Sequence, residues 1–269
     1  MQHYLRLRRH VDLRDRVIVI TGASSGFGEA IARRCAAAGA TVVLAARSAE
    51  QLERLAGELS AGPGSALAVP TDVTCSEAVA RLAATTLERY GRADVLVSNA
   101  GFGVFDRFVD ARLADLQEMI DVNLYGAVRC TQAFLPEMLR RRRGQIVLMA
   151  SLAGLIAPIN MAFYSATKFA LVGMGRSLML ELAGTGVRCA LLCPHVALTG
   201  FQRRADVQKY PRTTRLLPWI TPEQVASATV RAIARGTHGE VVIPRLARPA
   251  VAIANTVPAL ARAVMQFIG

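Results

Sequence analysis

Lysine is nearly absent from this chain of 269 residues. Lys168 and Lys209 are the only two, so arginine supplies almost all of the 32 basic side chains. An arginine stays protonated near neutrality, whereas a buried lysine readily exchanges its proton. Lys168 ends the stretch Tyr164-Ser-Ala-Thr-Lys168, four residues after one of only five tyrosines. A lysine retained at this point suggests chemistry that arginine does not perform.

Paired cysteines are also missing. Five cysteines are scattered along the chain without a C-x-x-C spacing: Cys35, Cys75, Cys130, Cys189 and Cys193. An odd, scattered set is typical of reduced thiols, and it favours a cytoplasmic protein. Cys189 and Cys193 share one face of a predicted strand, and we interpret them as core residues rather than as part of a metal site. No metal is therefore expected.

Long uncharged runs are scarce. The longest covers residues 144–167, enough to cross a bilayer, but it contains polar residues, a proline and a small-residue break. We interpret it as a buried strand, a loop and the start of a helix. The opening MQHYLRLRRHVDLRDR is too charged for a signal peptide, and we expect none.

Acidic residues are outnumbered, 20 against 32, which leaves a formal net charge of +12. That charge is compatible with nucleic acid, an anionic membrane surface or an anionic ligand. The arginine run at 140–143 ends a predicted helix, where cations complement the helix dipole and bond the last carbonyls. Because no basic stripe with interleaved aromatic residues accompanies it, we expect no nucleic-acid partner.

Apolar runs of strand length alternate with longer helical patterns. The predicted strands, rich in Val, Leu and Ile, are 17–21, 41–46, 66–70, 94–98, 145–150, 187–193 and 240–243. The predicted helices are 26–38, 49–60, 76–90, 113–142, 162–183 and 222–235. This alternation predicts an α/β fold: a doubly wound, seven-stranded parallel Rossmann sheet with helices on both faces.

Element boundaries carry start and stop signals. Ser48-Ala-Glu-Gln51 and Thr221-Pro-Glu-Gln224 are capping-box patterns, the second with proline at the first helical position. Gly39 and Gly91 follow predicted helix ends. No repeat or linker is evident, so we expect one domain over residues 1–269, with a basic arm at 1–14.

A glycine-rich turn joins the first strand to the first helix. Its glycines allow the tight turn and the close approach of a pyrophosphate, which the helix N-terminus then binds. Together with the βαβ context, the turn predicts a dinucleotide site. The residues assigned to it are Gly22, Ser24, Ser25, Gly26, Phe27 and Gly28.

The second predicted strand ends in Ala46, Arg47 and Ser48, where dinucleotide folds usually present an acid to the adenosine ribose. An acid would repel a 2′-phosphate, whereas arginine can pair with it bidentately. Arg47 and Ser48 therefore favour NADP(H) over NAD(H) as the cofactor. The alternative is that Arg47 is a solvated residue at a helix start.

These motifs together resemble the short-chain dehydrogenase/reductase family in its single-domain form, over about residues 12–244. The glycine signature matches Thr21 to Gly28. The resemblance implies that Asp72 and Val73 contact adenine and that Asn99, Ala100 and Gly101 stabilise the sheet beside the cofactor. It further implies cofactor contacts from Tyr164, Lys168, Pro194, Val196 and Thr199.

The family's catalytic asparagine, serine, tyrosine and lysine match Asn123, Ser151, Tyr164 and Lys168. Tyr164 and Lys168 are i and i+4 on a predicted helix and so share a face. A neighbouring ammonium lowers the pKa of a phenol toward working pH, as proton transfer to a carbonyl oxygen requires. The resemblance implies that Ser151 holds the substrate oxygen and that Asn123 distorts its helix and holds a water that relays protons to Lys168.

The sequence departs from the family pattern at His195, which replaces a glycine beside the expected nicotinamide. We expect a spacing or solvent-facing role for it. Residues 194–220 form the expected substrate lid. The apolar tail at 245–269 carries scattered arginines and two prolines; it packs on a partner subunit or lies on a membrane surface.

Three functions remain open from the sequence. The first is an NADP(H)-dependent oxidoreductase interconverting a ketone or aldehyde with an alcohol, as a homodimer or homotetramer. The second is a non-catalytic dinucleotide sensor or scaffold. The third is an enzyme peripheral to a membrane that acts on lipid-like substrates such as steroids, retinoids or acyl chains.

Overall fold

The computed structural model describes residues 12–197, 219–257, 259 and 263. Its centre is a seven-stranded sheet in the order β3-β2-β1-β4-β5-β6-β7, with every neighbouring pair parallel. The strands are β1 Val17–Thr21, β2 Thr41–Ala46, β3 Ser65–Pro70, β4 Val95–Ser98, β5 Gly144–Met149, β6 Val187–Pro194 and β7 Gly239–Ile243. The chain order reverses between β1 and β4, which opens a crevice at the carboxyl ends of the strands.

Helices connect the strands and cover both faces of the sheet. They are α1 Gly26–Ala37, α2 Ala49–Ser60, α3 Ser76–Tyr90, α4 Leu113–Ile120, α5 Gly126–Arg140, α6 Ala162–Glu181, α7 Pro222–Ala234 and α8 Arg248–Thr256. A π-helical segment, Asp121–Tyr125, joins α4 to α5, and 3₁₀ turns cover Leu152–Gly154 and Arg245–Ala247. The predicted fold class and all seven predicted strands are confirmed.

Alternate residues of each buried strand face opposite layers of the core. In β1, Val17 and Val19 pack in one apolar cluster with α3, α5 and α6, while Ile18 and Ile20 pack in the other with α1, α2 and α7. This double burial explains why the strands lack polar alternation. Residues 144–167 form β5, a loop and the start of α6, and no helix among the described residues is long and apolar enough to cross a membrane.

The single helix predicted for residues 113–142 is wrong. The chain instead forms α4, a π-helical segment and α5, and the Gly126 amide donates to the Asp121 carbonyl across the five-residue step. A π-helical turn contains one residue more than an α-helical turn. Because the apolar residues of 113–142 keep a helical spacing through this segment, the sequence pattern does not reveal the insertion.

Two further details of the predicted boundaries differ. Thr221 caps α7 with a complete capping box, but the side chain of Ser48 makes no cap bond to α2. The arginine side chains at the end of α5 go elsewhere than to its last carbonyls, which accept from the backbone amides of Arg141 and Arg142 instead. The Arg140 side chain pairs with Glu137, and the Arg142 side chain donates to the Gly184 carbonyl. Arg141 donates to Asp94, whose buried carboxylate needs compensating donors.

Candidate active site

The glycine-rich turn has the conformation that its sequence predicts. Gly22 and Gly26 have φ values of 65° and 58°, in the region that favours glycine. A Cβ on Gly28 would lie 2.1 Å from the Gly22 carbonyl oxygen, so no side chain fits there. Ser25 precedes α1 and its side chain makes no cap bond; Ser24 lies in the same turn, and Phe27 is the second residue of α1. The first-turn amides of α1 are thus available to an anion.

Asn99 fixes this turn to the end of β4. Its side-chain amide donates to the Thr21 carbonyl at 2.9 Å, and the amides of Asn99 and Ala100 donate to the Thr21 hydroxyl at 3.0 and 3.1 Å. A Cβ on Gly22 would lie 2.9 Å from the Ala100 Cα. The two loops therefore meet with almost no gap, and together they border the crevice at the reversal of strand order.

The residues predicted to contact the adenosine follow the ends of β2 and β3: Arg47, Ser48, Asp72 and Val73. Asp72 accepts from the amide and hydroxyl of Thr74, at 2.9 and 2.8 Å. The amide bond chiefly lowers the pKa of Asp72, and the charge of Arg47 contributes to the same shift. Arg47 is exposed and forms no ion pair within the part of the chain that the structure describes. Its guanidinium is therefore available to an incoming anion.

Tyr164 and Lys168 lie one turn apart on α6, and both are buried, at 8% and 4% exposure. The Lys168 Nζ lies 5.7 Å from the centre of the Tyr164 ring and donates to the Met149 carbonyl at 3.0 Å. Burial lowers the pKa of Lys168 to about 8. The ammonium is thus compact, almost dry and close to exchanging its proton near neutral pH.

Asn123 sits in the π-helical segment, and the segment turns its side chain toward the loop after β4. Its Oδ1 accepts from the Phe102 amide and its Nδ2 donates to the Phe102 carbonyl, both at 2.9 Å. A Cβ on Gly101 would lie 2.9 Å from this Oδ1 and 3.6 Å from the Lys168 Nζ. The predicted distortion is therefore present, and the Asn123 amide bonds protein backbone.

Thr167 belongs to this network, and the sequence analysis missed it. Its hydroxyl accepts from the Asn123 Nδ2 at 3.2 Å and donates to the Tyr164 carbonyl at 2.8 Å. The residue is 1% exposed. Its position three residues after Tyr164 was a signal that could have placed it on the same side of the helix.

Ser151 follows the end of β5 by two residues, at the carboxyl edge of the sheet. Its Oγ accepts from the Ala153 amide at 3.1 Å and so caps the short 3₁₀ turn. A hydroxyl that accepts one bond keeps its own hydrogen to donate. The Phe105 ring stands edge-on to the Tyr164 ring, with centroids 5.4 Å apart. An apolar wall thus stands beside the phenol.

The end of β6 borders the same crevice. Pro194 is the last residue of β6, the His195 amide donates to the Ile243 carbonyl at 2.7 Å, and Val196 accepts from Ile220. His195 thus continues the pairing with β7, and its side chain is half-buried. Thr199, Lys209 and most of the predicted lid (residues 198–218) lie outside the described residues, as do residues 1–11 of the N-terminal arm and most of the chain beyond 257.

The chemical groups that line the crevice are suited to bind a dinucleotide. It combines free helix amides, a cradle that a Cβ would fill, an unpaired guanidinium and a buried ammonium. No group of histidine, cysteine and acidic side chains that could hold a metal ion occurs among the residues described. The cysteines are unpaired, and burial raises the pKa values of Cys35, Cys130, Cys189 and Cys193 to about 12.

Comparison with known proteins supports this assignment. The family model for short chain dehydrogenases matches residues 16–209. An uncharacterized oxidoreductase of Staphylococcus aureus is 34% identical over 229 residues, covering 84% of this chain and 94% of that protein.

Two solved structures extend the comparison to cofactor complexes. A short chain dehydrogenase/reductase of Burkholderia phymatum in complex with NAD superposes with a TM-score of 0.80 at 30% identity, over 93% of this chain and 96% of that one. An alcohol dehydrogenase of Thermococcus sibiricus complexed with 5-hydroxy-NADP has a TM-score of 0.74 at 31% identity, over 85% and 95% of the two chains. Both of these neighbours therefore hold a nicotinamide dinucleotide or an analogue of one. By the family model and the identity of its relatives, this chain belongs to the short-chain dehydrogenase/reductase family of oxidoreductases.

Proposed function

We propose that the protein is an NADP(H)-dependent oxidoreductase that interconverts a ketone or aldehyde with an alcohol. The observation that carries the proposal is the buried Lys168 ammonium beneath the ring of Tyr164. A buried charge is costly unless it has a partner, and a phenolate above the ammonium would provide one. This pair therefore supports proton transfer at the Tyr164 hydroxyl.

The bound nicotinamide would supply or accept the hydride. The chain's own residues act on the oxygen of the substrate: the Ser151 hydroxyl donates to it and holds it near the phenol, and Tyr164 gives it a proton during reduction. Lys168 favours the phenolate that results. Asn123, fixed by the Phe102 backbone and Thr167, keeps the loop after β4 against Lys168.

The preference for NADP(H) rests on Arg47. It follows β2 as an exposed guanidinium without a carboxylate partner in the described chain. After the hydrogen bonds from Thr74, its charge also contributes to the lowered pKa of Asp72. A 2′-phosphate at this position would receive two parallel hydrogen bonds. The relatives themselves include complexes with both NAD and NADP, so the choice depends on this chain's own residue.

A homo-oligomer is the assembly that we propose. The helix α6 exposes Phe169 and Leu180, at 43% and 79%, and α5 exposes Leu139. Apolar side chains along neighbouring helices are typical of a surface that a second subunit covers. We propose a cytoplasmic location on the pattern of reduced cysteines.

A panel of ketones and aldehydes, assayed with NADPH and NADH, tests the function. We expect carbonyl-dependent NADPH oxidation by the native protein, and a loss of about 100-fold or more in kcat for Tyr164→Phe, because positioned proton transfer contributes this much. The matched control is Tyr125→Phe, which alters an exposed tyrosine on the same side of the sheet.

Two outcomes would contradict the proposal. Full turnover by Tyr164→Phe on a good substrate would show that another group moves the proton. NADPH binding without turnover across the panel would favour a cofactor sensor that keeps the fold.

A further inference from the structure

The loop that follows β3 packs against the first turn of α5. Val73 lies in this loop and is 7% exposed. A Cβ on Gly126 would lie 2.7 Å from the Val73 Cγ2, so α5 approaches the loop this closely only with glycine at its first position. Arg129, one turn further along α5, donates from Nη1 to the Val73 carbonyl at 3.4 Å. The loop is therefore held by α5 through both packing and a hydrogen bond.

The same nitrogen of Arg129 binds the π-helical segment. It donates to the Asp121 Oδ1 at 2.8 Å and to the Asp121 carbonyl at 3.5 Å. The Arg129 guanidinium carbon also lies 5.8 Å from the centre of the Tyr125 ring. The arginine side chain is 25% exposed, so most of it is packed. These contacts fix the guanidinium between the π-helical segment and the loop after β3.

The hydrogen-bonding groups of this loop suit one edge of adenine. The Val73 amide donates to no other described residue, although Val73 is nearly buried, and such an amide favours an acceptor from outside the chain. Hydrogen bonds from Thr74 chiefly lower the pKa of Asp72, and the charge of Arg129 contributes to the same shift. An ionised acceptor and a donor thus follow each other along the chain. Adenine carries the matching pair on its Watson–Crick edge, an acceptor at N1 and a donor amino group beside it.

We propose that Arg129 is a positioning residue for the cofactor, and that it holds the Val73 carbonyl so that the Asp72 carboxylate and the Val73 amide face adenine together. Only two backbone torsions separate the carbonyl of Val73 from its amide, so a bond to the first restrains the second. The inference rests on the nicotinamide dinucleotide of the proposed function, and it adds the residue that makes the site selective for adenine.

A surface ion pair is the simpler role for Arg129. Its partner Asp121 is 42% exposed, and a pair this exposed contributes little to stability. The ion pair does not account for the bond to Val73 or for the close packing of the loop on Gly126. These two contacts favour a role at the cofactor loop.

The test compares the binding of NADPH with that of its hypoxanthine analogue, reduced nicotinamide hypoxanthine dinucleotide phosphate. Hypoxanthine has a carbonyl oxygen in place of the amino group and an N–H at N1, so it sets acceptor against acceptor and donor against donor. Titrations of nicotinamide fluorescence give both Kd values. We expect the native protein to prefer NADPH by about 10-fold or more. Arg129→Met should reduce this preference by roughly 3- to 10-fold, because it weakens the binding of NADPH and not that of the analogue.

Two further variants act on the same loop. Arg129→Lys should restore part of the preference, because Nη1 alone makes the hydrogen bonds described above and an ammonium can donate from one position. Gly126→Ala should also lower the preference, since the added Cβ displaces Val73.

The matched control is Arg89→Met. Arg89 is an exposed arginine on α3 whose guanidinium carbon lies 5.9 Å from the centre of the Tyr90 ring, much as Arg129 lies over Tyr125. This variant should keep the native preference for NADPH. Melting temperatures show that each variant is folded under the conditions of the titrations.

An unchanged preference in Arg129→Met, or an equal loss in Arg89→Met, would overturn the proposal. So would a native protein that binds NADPH and the hypoxanthine analogue equally well. Because no carbonyl substrate enters the titrations, a protein that binds NADPH selectively but reduces no carbonyl compound would contradict the proposed oxidoreductase and support the role of Arg129.

Discussion

At the scale of single residues, Lys168 stands in a chain that otherwise uses arginine for positive charge. The structure places its Nζ in a space bounded by the Met149 carbonyl, the Tyr164 ring and the Gly101 backbone. A planar guanidinium is larger, and it does not release its proton near neutral pH. The site thus requires lysine, although lysine and arginine replace each other on most protein surfaces.

We expect Lys168→Arg to lower kcat by about 100-fold or more, because the variant keeps the charge but loses the proton exchange and the fit. Stopped-flow rates of NADPH oxidation measure this, and NADPH fluorescence shows whether the cofactor still binds. A rate near that of the native protein would mean that positive charge alone is sufficient at this position.

Arg47 carries the second prediction at this scale. Arg47→Asp should raise the KM for NADPH by about 10- to 100-fold, the loss expected for hydrogen bonds to a charged group, and should leave the KM for NADH little changed. Arg54→Asp serves as the control, since it alters an exposed arginine on α2, the helix that follows. Equal changes in the KM for NADPH and the KM for NADH would show that Arg47 does not bind the 2′-phosphate.

At the scale of elements, the 3₁₀ turn after β5 and the helix α6 are in backbone contact. A Cβ on Gly154 would lie 2.7 Å from the Lys168 carbonyl oxygen and 2.9 Å from its carbonyl carbon. Neither backbone can yield without moving Ser151 or Lys168. Gly173, also on α6, has nothing within 4 Å of the same added atom.

This contrast predicts opposite effects for the same chemical change. Gly154→Ala should lower the free energy of unfolding by about 1–3 kcal/mol through overpacking and should reduce kcat. Gly173→Ala should raise the free energy of unfolding by roughly 0.5–1 kcal/mol, because alanine favours an exposed helix interior, and should leave kcat unchanged. Urea titrations measure both values. Similar stabilities for the two variants would mean that the turn and the helix are not tightly packed.

The bounds of the strands could be predicted from the sequence more precisely than the interruptions of the helices. Strands such as β1 and β2 were predicted to the residue, since double burial leaves an unbroken apolar run between polar boundaries. The π-helical form of Asp121–Tyr125 was not predicted at this precision. Its inserted residue is stabilised by the tertiary partners of Asn123, which lie far away in the sequence. Ser48 fits the capping-box pattern in the sequence, but its side chain makes no cap hydrogen bond to α2.

At the scale of the whole molecule, the buried ammonium lowers stability at neutral pH. The pKa of Lys168 falls from 10.5 to about 8 in the folded state, which corresponds to a cost of roughly 3 kcal/mol at pH 7. Between pH 8 and 10.5 the unfolded chain binds more protons at this group than the folded one does. Stability contributed by this residue therefore rises with pH through that window.

The comparison of Tyr164→Phe with Tyr164→Phe/Lys168→Met measures the effect, because both lack the phenol of Tyr164. We expect the single variant to gain up to about 3 kcal/mol relative to the double variant between pH 8 and 10.5. Urea unfolding across this range gives the difference at each pH. A constant difference would show that Lys168 remains fully hydrated in the folded protein.

Sequence pattern alone was sufficient to predict the parallel sheet and the glycine-rich turn, and it singled out the candidate catalytic residues. These depend on local pattern and on short spacing, and both are legible along the chain. The contact of Thr167 with Asn123 and that of Gly154 with the Lys168 backbone, in contrast, were legible only in the folded structure. Such contacts join residues from different elements, and their positions follow from how the helices pack on the sheet.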